Sequence, residues 1–208
     1  MIATLLAAAA RAVAGGTVRW SRAPLDDRQR VFFANHTSHL DFILIWASLP
    51  ARMRKRARPV AARDYWESGP IRRYLARKVF RAVLIDRAAP SDSADSPGER
   101  GRKAIARMVE GLDREDSLIV FPEGTRGSGD EVGEFKSGLY YLWRERPDLE
   151  LVPVHLENLN RVLPKGEVIP VPMISRVSFG PPLDRAEGET KEEFLERARQ
   201  AVQRLGEQ

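Results

Sequence analysis

Three observations predict an α/β fold: a single domain with a mixed, partly parallel sheet flanked by helices. Short apolar runs with strand character alternate with longer segments of helical period. No internal repeat and no long linker interrupts that alternation. With 208 residues, 43% of them apolar, the chain can bury a core without disulfide or metal support.

Each element follows from its local sequence. Met1 to Ala10 is apolar and alanine-rich, is interrupted by Arg11 and closes at Gly15-Gly16. It falls short of the ~18 apolar residues a spanning helix needs, and no basic side chain precedes it as in a secretory signal. Residues 1–20 therefore read as a short amphipathic helix lying on a bilayer surface, and 21–208 as the folded domain. Val31 to Ala34 predicts a buried strand, followed by an apolar helix from about His39 to Leu49. A helix near Ile71 to Phe80 would turn Ile71, Leu75 and Val79 inward and Arg72, Arg73 and Arg77 outward. Val83 to Ile85 is a short strand, and residues 88–98, rich in Ala, Ser, Pro and Asp, form a loop. Ser96-Pro97-Gly98-Glu99 opens a helix with Ile105, Met108, Val109 and Leu112 inward. Leu118 to Phe121 predicts a strand, Phe135 to Trp143 a helix, and Leu151 to Leu156 and Met173 to Phe179 two more strands. Thr190 and Glu193 form a capping box for the last helix, which would bury Phe194, Leu195, Ala198, Val202 and Leu205.

Charge narrows the partners. Lys and Arg number 34 against 29 Asp and Glu, a net charge of +5. Between Arg52 and Arg81 stand eleven basic residues opposed only by Asp64 and Glu67, so that segment carries +9 and the rest of the chain is net acidic. Such a block suits a lipid headgroup surface, a phosphorylated ligand or nucleic acid, or is simply a solvated face. Tyr65, Trp66 and Tyr74 lie within it and either insert at an interface or pack in the core. The absence of cysteine excludes a thiol nucleophile, a thiolate metal site and any disulfide, and is consistent with the cytosol.

Two polar sequences follow predicted strands, where ligands gather in parallel sheets. The first is Asn35 to Asp41. On one continuous helix, His36 and Asp41 would stand about 140° apart. They can meet only if His36 lies in the turn and Asp41 in the first helical turn, with Ser38 as N-cap and Asp41 at the third position. Asp41 is then either a capping carboxylate beside an ordinary loop histidine, or the acid that orients a general base. Such a base could deprotonate an alcohol that attacks an activated acyl group directly, and no Gly-x-Ser-x-Gly elbow is present to supply a nucleophile. His36, His39, Asp41 and His155 could alternatively ligate a metal; His155 otherwise reads as a packed strand residue.

The second sequence is Pro122 to Gly129. Gly124 and Gly127 permit close backbone approach, Thr125 offers a hydroxyl, and Arg126 can clamp a phosphate. Neither a Walker loop nor a dinucleotide fingerprint is present, because Asp130 and Val132 stand where those patterns need Lys and Gly.

His-x-x-x-x-Asp at His36 and Asp41, followed by Phe-Pro-Glu-Gly-Thr-Arg at 121–126, resembles the glycerolipid acyltransferase family that includes the 1-acyl-sn-glycerol-3-phosphate acyltransferases. The likeness runs from about Phe33 to Gly180. It implies acyl transfer from acyl-CoA or acyl carrier protein to a lysophospholipid hydroxyl, without a covalent intermediate and without a further cofactor or metal. Under that resemblance His36 is the general base and Asp41 its orienting acid, while Glu123, Gly124, Thr125 and Arg126 hold the acceptor. Ile85-Asp86-Arg87 resembles the family's second block, which gives Arg87 the acceptor phosphate. Arg81 and Leu84 depart from that block, where the family usually has glycine and an aromatic. Val152-Pro153-Val154 resembles the fourth block, and Asn158, Arg161 and Lys165 could add polar contacts. The expected setting is the cytoplasmic face of a membrane, with peripheral attachment through the short helix and residues 52–81 and no nucleic acid. Each Lys or Arg near an anionic surface adds about 1 kcal/mol to such attachment. The alternatives are a non-catalytic binder of anionic lipid or nucleic acid, or a metal-dependent phosphoesterase.

Overall fold

The computed structural model describes residues 2–13, 15, 17–21, 28–38, 40–86, 105–106, 108–109, 115–127, 129, 131–159 and 174–207. Among these residues the strands are β1 (Thr17–Trp20), β2 (Arg30–Ala34), β3 (Ala57–Ala62), β4 (Val83–Ile85), β5 (Ser117–Val120), β6 (Glu150–Glu157) and β7 (Arg176–Phe179). They form one sheet in the order β1-β7-β6-β2-β5-β3-β4. The five strands from β6 to β4 run parallel. β7 is antiparallel to β6 and parallel to β1, so the sheet is mixed, as the sequence predicts.

Helices cover both faces, and the period-2 alternation of the strands decides what each face buries. Phe32 and Ala34 of β2 join a core with Phe42, Leu44, Ile45 and Trp46 of α2 (Asp41–Ser48) and with Ala7 of α1 (Ile2–Val13). Val31 and Phe33 face the opposite core, with Leu139 and Leu142 of α6 (Gly138–Glu145) and Phe194, Ala198 and Val202 of α7 (Lys191–Gly206). The α7 capping box forms in both directions between Thr190 and Glu193. Ile105 and Met108 are buried in this second core, as their spacing predicts. The loop over 88–98, the helix start at Ser96, and Leu112 lie outside the described residues.

This topology creates a crevice. From β2 the chain passes to α2 on one face, whereas from the neighbouring β5 it passes to α6 on the other. Connections that diverge from adjacent parallel strands leave a gap at the carboxyl ends. Asn35–Asp41 and Pro122–Gly127 follow those two strands.

Several elements differ from the sequence expectation. The helix in residues 1–20 ends at Val13, because Gly15 takes φ +54°, and Thr17–Trp20 becomes a sheet strand instead. The helix expected over 71–80 breaks into α5 (Pro70–Tyr74) and a π-turn at Leu75–Val79, closed by Phe80 N–H donating to Leu75 C=O. The extra residue in that turn shifts the angular position of one side of the helix relative to the other. Leu75 and Val79 still pack on the core, but Ile71 is 75% exposed. Trp66 of α4 (Arg63–Trp66) meets Phe42 and Phe80 edge-on and so belongs to the core, whereas Tyr74 is exposed. Strand β3 lies inside the basic block, and Arg58 and Pro59 conceal its apolar alternation. The short α3 (Ala51–Arg56) precedes it.

The basic block also proves more internally neutralised than its sequence implies. Arg58 and Arg81 reach the buried Asp116, Arg56 reaches Glu115, and Arg63 reaches Asp86, all acids from outside the block. Arg77 pairs with Glu67, and Arg54 donates to the Ala47 and Leu49 carbonyls.

Candidate active site

At the exit of β2, the Asn35 side chain bonds the Leu156 main chain in both directions, at 2.9 and 2.8 Å, and fixes the strand end to β6. His36 is the next residue. Its Nδ1 lies 2.8 Å from Asp41 Oδ2, and the same oxygen accepts the N–H groups of Thr37 at 2.6 Å and Ser38 at 2.9 Å. Asp41 is 0% exposed. An ionised carboxylate only accepts, so Nδ1 carries the proton and Nε2 is the nitrogen able to receive another. The ring stacks on Phe121, with centroids 4.2 Å apart, which holds the imidazole plane.

Helix α2 begins at Asp41, not just after Ser38, and its side-chain cap is absent. Instead Ser38 Oγ accepts the Leu40 N–H at 3.3 Å. The chain therefore turns after β2 so that Asp41, five positions away, comes back onto the histidine. Asp41 consequently does both things the spacing allowed: it satisfies main-chain donors before the helix and it pairs with the imidazole.

The second loop is stitched to the first. Gly127 N–H donates to His36 C=O at 2.8 Å, and His36 N–H donates to Glu123 Oε1 at 2.8 Å. Glu123 is only 7% exposed. Burial pushes its carboxyl above the usual range, against the opposing pull of the His36 and Gly133 N–H groups. Gly124 takes φ +70°, and a Cβ there would stand 2.7 Å from Lys136 Nζ. The ammonium of Lys136 thus lies over the loop, anchored by Lys136 N–H donating to Pro122 C=O at 2.9 Å. Thr125 is exposed and Arg126 half-buried at the same turn.

Sequence reading did not single out Lys136, because its link to the loop is tertiary and no local pattern marks it. Phe121 was visible as a strand residue and as the first of the Phe-Pro-Glu-Gly-Thr-Arg motif, but its stacking on His36 was not. Arg87, His39, Arg161 and Lys165 lie outside the described residues, and Asn158 turns its amide to the Ile174 carbonyl at 3.2 Å. Among the described residues no three His, Asp or Glu side chains form a group that could hold a metal. His155 sits half-buried on β6, where desolvation lowers its pKa. Among the described residues no helix is long and apolar enough to cross a membrane.

A sequence model described as Acyltransferase matches residues 19–157, which span both loops. The chain belongs to the acyltransferase family. The acyltransferase fold is independently evident in a solved structure, the 1-acyl-sn-glycerophosphate (LPA) acyltransferase PlsC from Thermotoga maritima. It is 21% identical to this chain, with a TM-score of 0.72, and the match covers 99% of this chain and 78% of that one. No curated protein matches. In this acyltransferase, the β2 and β5 loops that meet in the crevice are the two that the sequence resemblance marked.

Proposed function

We propose that this acyltransferase moves a fatty acyl group from acyl-CoA or acyl carrier protein to the free hydroxyl of 1-acyl-sn-glycerol-3-phosphate, giving phosphatidic acid. The observation that carries this reading is the His36–Asp41 pair, 2.8 Å apart and bonded directly to the Glu123–Gly127 loop. The acceptor hydroxyl loses its proton to His36 Nε2 as its oxygen attacks the thioester carbonyl. The C–S bond then breaks, and His36 returns the proton to the leaving thiol. Asp41 remains ionised throughout and stabilises the imidazolium. Arg126, with Arg87, Gly124 and Thr125, holds the acceptor phosphate, and Lys136 adds a cation at the same turn. The acyl carriers are substrates, and no other cofactor or metal is invoked.

The test is release of free thiol from acyl-CoA and acyl carrier protein in the presence of a panel of lysolipids. Release should depend on a phosphomonoester acceptor, and Arg126→Ala should raise the acceptor KM by about tenfold or more, as expected for loss of a charge-assisted contact. Thiol release that ignores the acceptor headgroup would refute the assignment.

The acceptor is membrane-borne, and the exposed apolar side chains suit that source. Ile71 follows the carboxyl end of β3, among the exposed Arg72, Arg73, Arg77 and Lys78. Ile174, 74% exposed, precedes β7, whose Arg176 pairs with Glu157 at the carboxyl end of β6. Both isoleucines therefore stand at the end of the sheet that carries His36. In our reading this end rests on the cytoplasmic face of an anionic bilayer, with α1 contributing its exposed Leu5. Phosphatidylglycerol vesicles should sediment the protein and phosphatidylcholine vesicles should not, and an Ile71→Asp, Ile174→Asp double variant should bind several-fold more weakly. Equal recovery of parent and variant would remove this docking face.

A further inference from the structure

We infer that Glu123 is a positioning residue that clamps the main chain of His36, rather than a ligand of the acceptor. This rests on the proposed role of His36, and the reasons are geometric. Glu123 Oε1 receives the His36 N–H at 2.8 Å, so one oxygen is committed to the catalytic turn. The other faces Gly133, whose N–H also bonds the carboxylate and whose absent Cβ would stand 2.8 Å from Oε2. A Cβ on Gly127 would stand 3.4 Å from the same oxygen. The carboxylate is thus enclosed by main chain on three sides, and its residue is nearly closed to solvent.

An acid so placed is poorly suited to meet a phosphate ester. Its negative charge would repel the acceptor, and the next two residues of this loop, Gly124 and Thr125, are exposed where Glu123 is buried. What Glu123 can do is fix the histidine. The Glu123–Gly127 loop grips His36 at both of its main-chain groups, the N–H through Glu123 and the C=O through Gly127 N–H at 2.8 Å. The imidazole plane is held separately, by Asp41 at Nδ1 and by the Phe121 face. Together these contacts leave the ring little freedom to drift, and in catalysis a displacement of about 1 Å can cost about 100-fold. Gly133 belongs to the device, because only a residue without Cβ leaves room for Oε2.

The experiment compares Glu123→Gln, Glu123→Ala and Gly133→Ala in the full chain. It measures kcat and KM for 1-acyl-sn-glycerol-3-phosphate at saturating acyl-CoA, together with the amide proton shift of His36 by NMR. Glu123→Gln keeps an acceptor for His36 N–H but presents an amide donor to Gly133 N–H, so kcat should fall by about tenfold. Glu123→Ala should lose about 100-fold, and Gly133→Ala, which moves the carboxylate without removing its charge, about tenfold. Acceptor KM should stay within about twofold in all three, since the binding cations are untouched. The His36 amide shift should move in each variant. A rise in acceptor KM with kcat retained would make Glu123 an acceptor ligand and overturn the clamp, as would an unmoved His36 amide in Glu123→Gln. If Glu123→Ala does not fold, Glu123→Gln and Gly133→Ala still decide the matter. Full activity in His36→Ala would sink the general-base reading itself, whereas an inactive His36→Ala beside fully active Glu123 and Gly133 variants would sink only the clamp.

Discussion

Replacing His36 by alanine is expected to lower kcat by about 10²–10⁴-fold, the usual contribution of a positioned general base. The protein should remain folded. The imidazole donates one hydrogen bond to Asp41, and that oxygen keeps the Thr37 and Ser38 N–H groups after the ring is gone. The ring also stacks on Phe121 at the partly open mouth of the crevice, so its removal uncovers little core. A stability loss of about 1–2 kcal/mol is expected, visible as a shift of a few degrees in Tm. The measurement is a steady-state thiol-release assay paired with a thermal melt. Acceptor KM should change little, because the base meets the acceptor hydroxyl whereas binding energy comes from the cations at the phosphate. Retention of more than about a tenth of parental kcat in a well-folded variant would mean that the proton leaves by another route.

The sheet was legible because its strands carry the alternation that a two-faced core demands. Val31 and Phe33 serve one core while Phe32 and Ala34 serve the other, and the run is hydrophobic throughout because both faces are covered. The capping box at Thr190 was equally legible, being a contact between residues three apart. Other features failed for identifiable reasons. β3 carries Arg58 because its side chain reaches sideways to the buried Asp116, so a strand residue looked like part of a surface charge run. An unbroken helical period places Ile71 in the core, and the π-turn after it breaks that period. At the site, sequence could place His36 and Asp41 within reach of each other, since the turn between them is local. It could not show that the second loop bonds to the first. The contacts Glu123–His36 and Gly127–His36 depend on β2 and β5 being neighbours, a fact of strand order that no local pattern carries, and Lys136 meets Gly124 only because the connection from β5 to α6 folds back on itself.

The second large effect is expected at Asp41, where catalysis and folding share one atom. Oδ2 satisfies two main-chain donors and the imidazole together, on a carboxylate that is itself fully buried. Asp41→Ala would leave the buried Thr37 and Ser38 N–H groups without a partner, at a cost of about 1–3 kcal/mol each. A chain of this size loses about 2–4 °C of Tm per kcal/mol, so the variant should melt at least ~5 °C lower and have almost no turnover. Asp41→Asn separates the two roles. Its amide oxygen can take the place of Oδ2 and keep the turn closed, so the melt should lie near that of the parent. The charge that stabilises the imidazolium is nevertheless gone, and kcat should still fall by at least about 100-fold. The decisive comparison is therefore the separation between melting and turnover across the two variants. If asparagine restored stability and activity together, Asp41 would be a cap for the turn and nothing more, and the imidazole would need no charged partner. If it restores stability alone, the carboxylate acts on the proton that His36 takes, and the same oxygen that closes the turn also holds the base in its working tautomer.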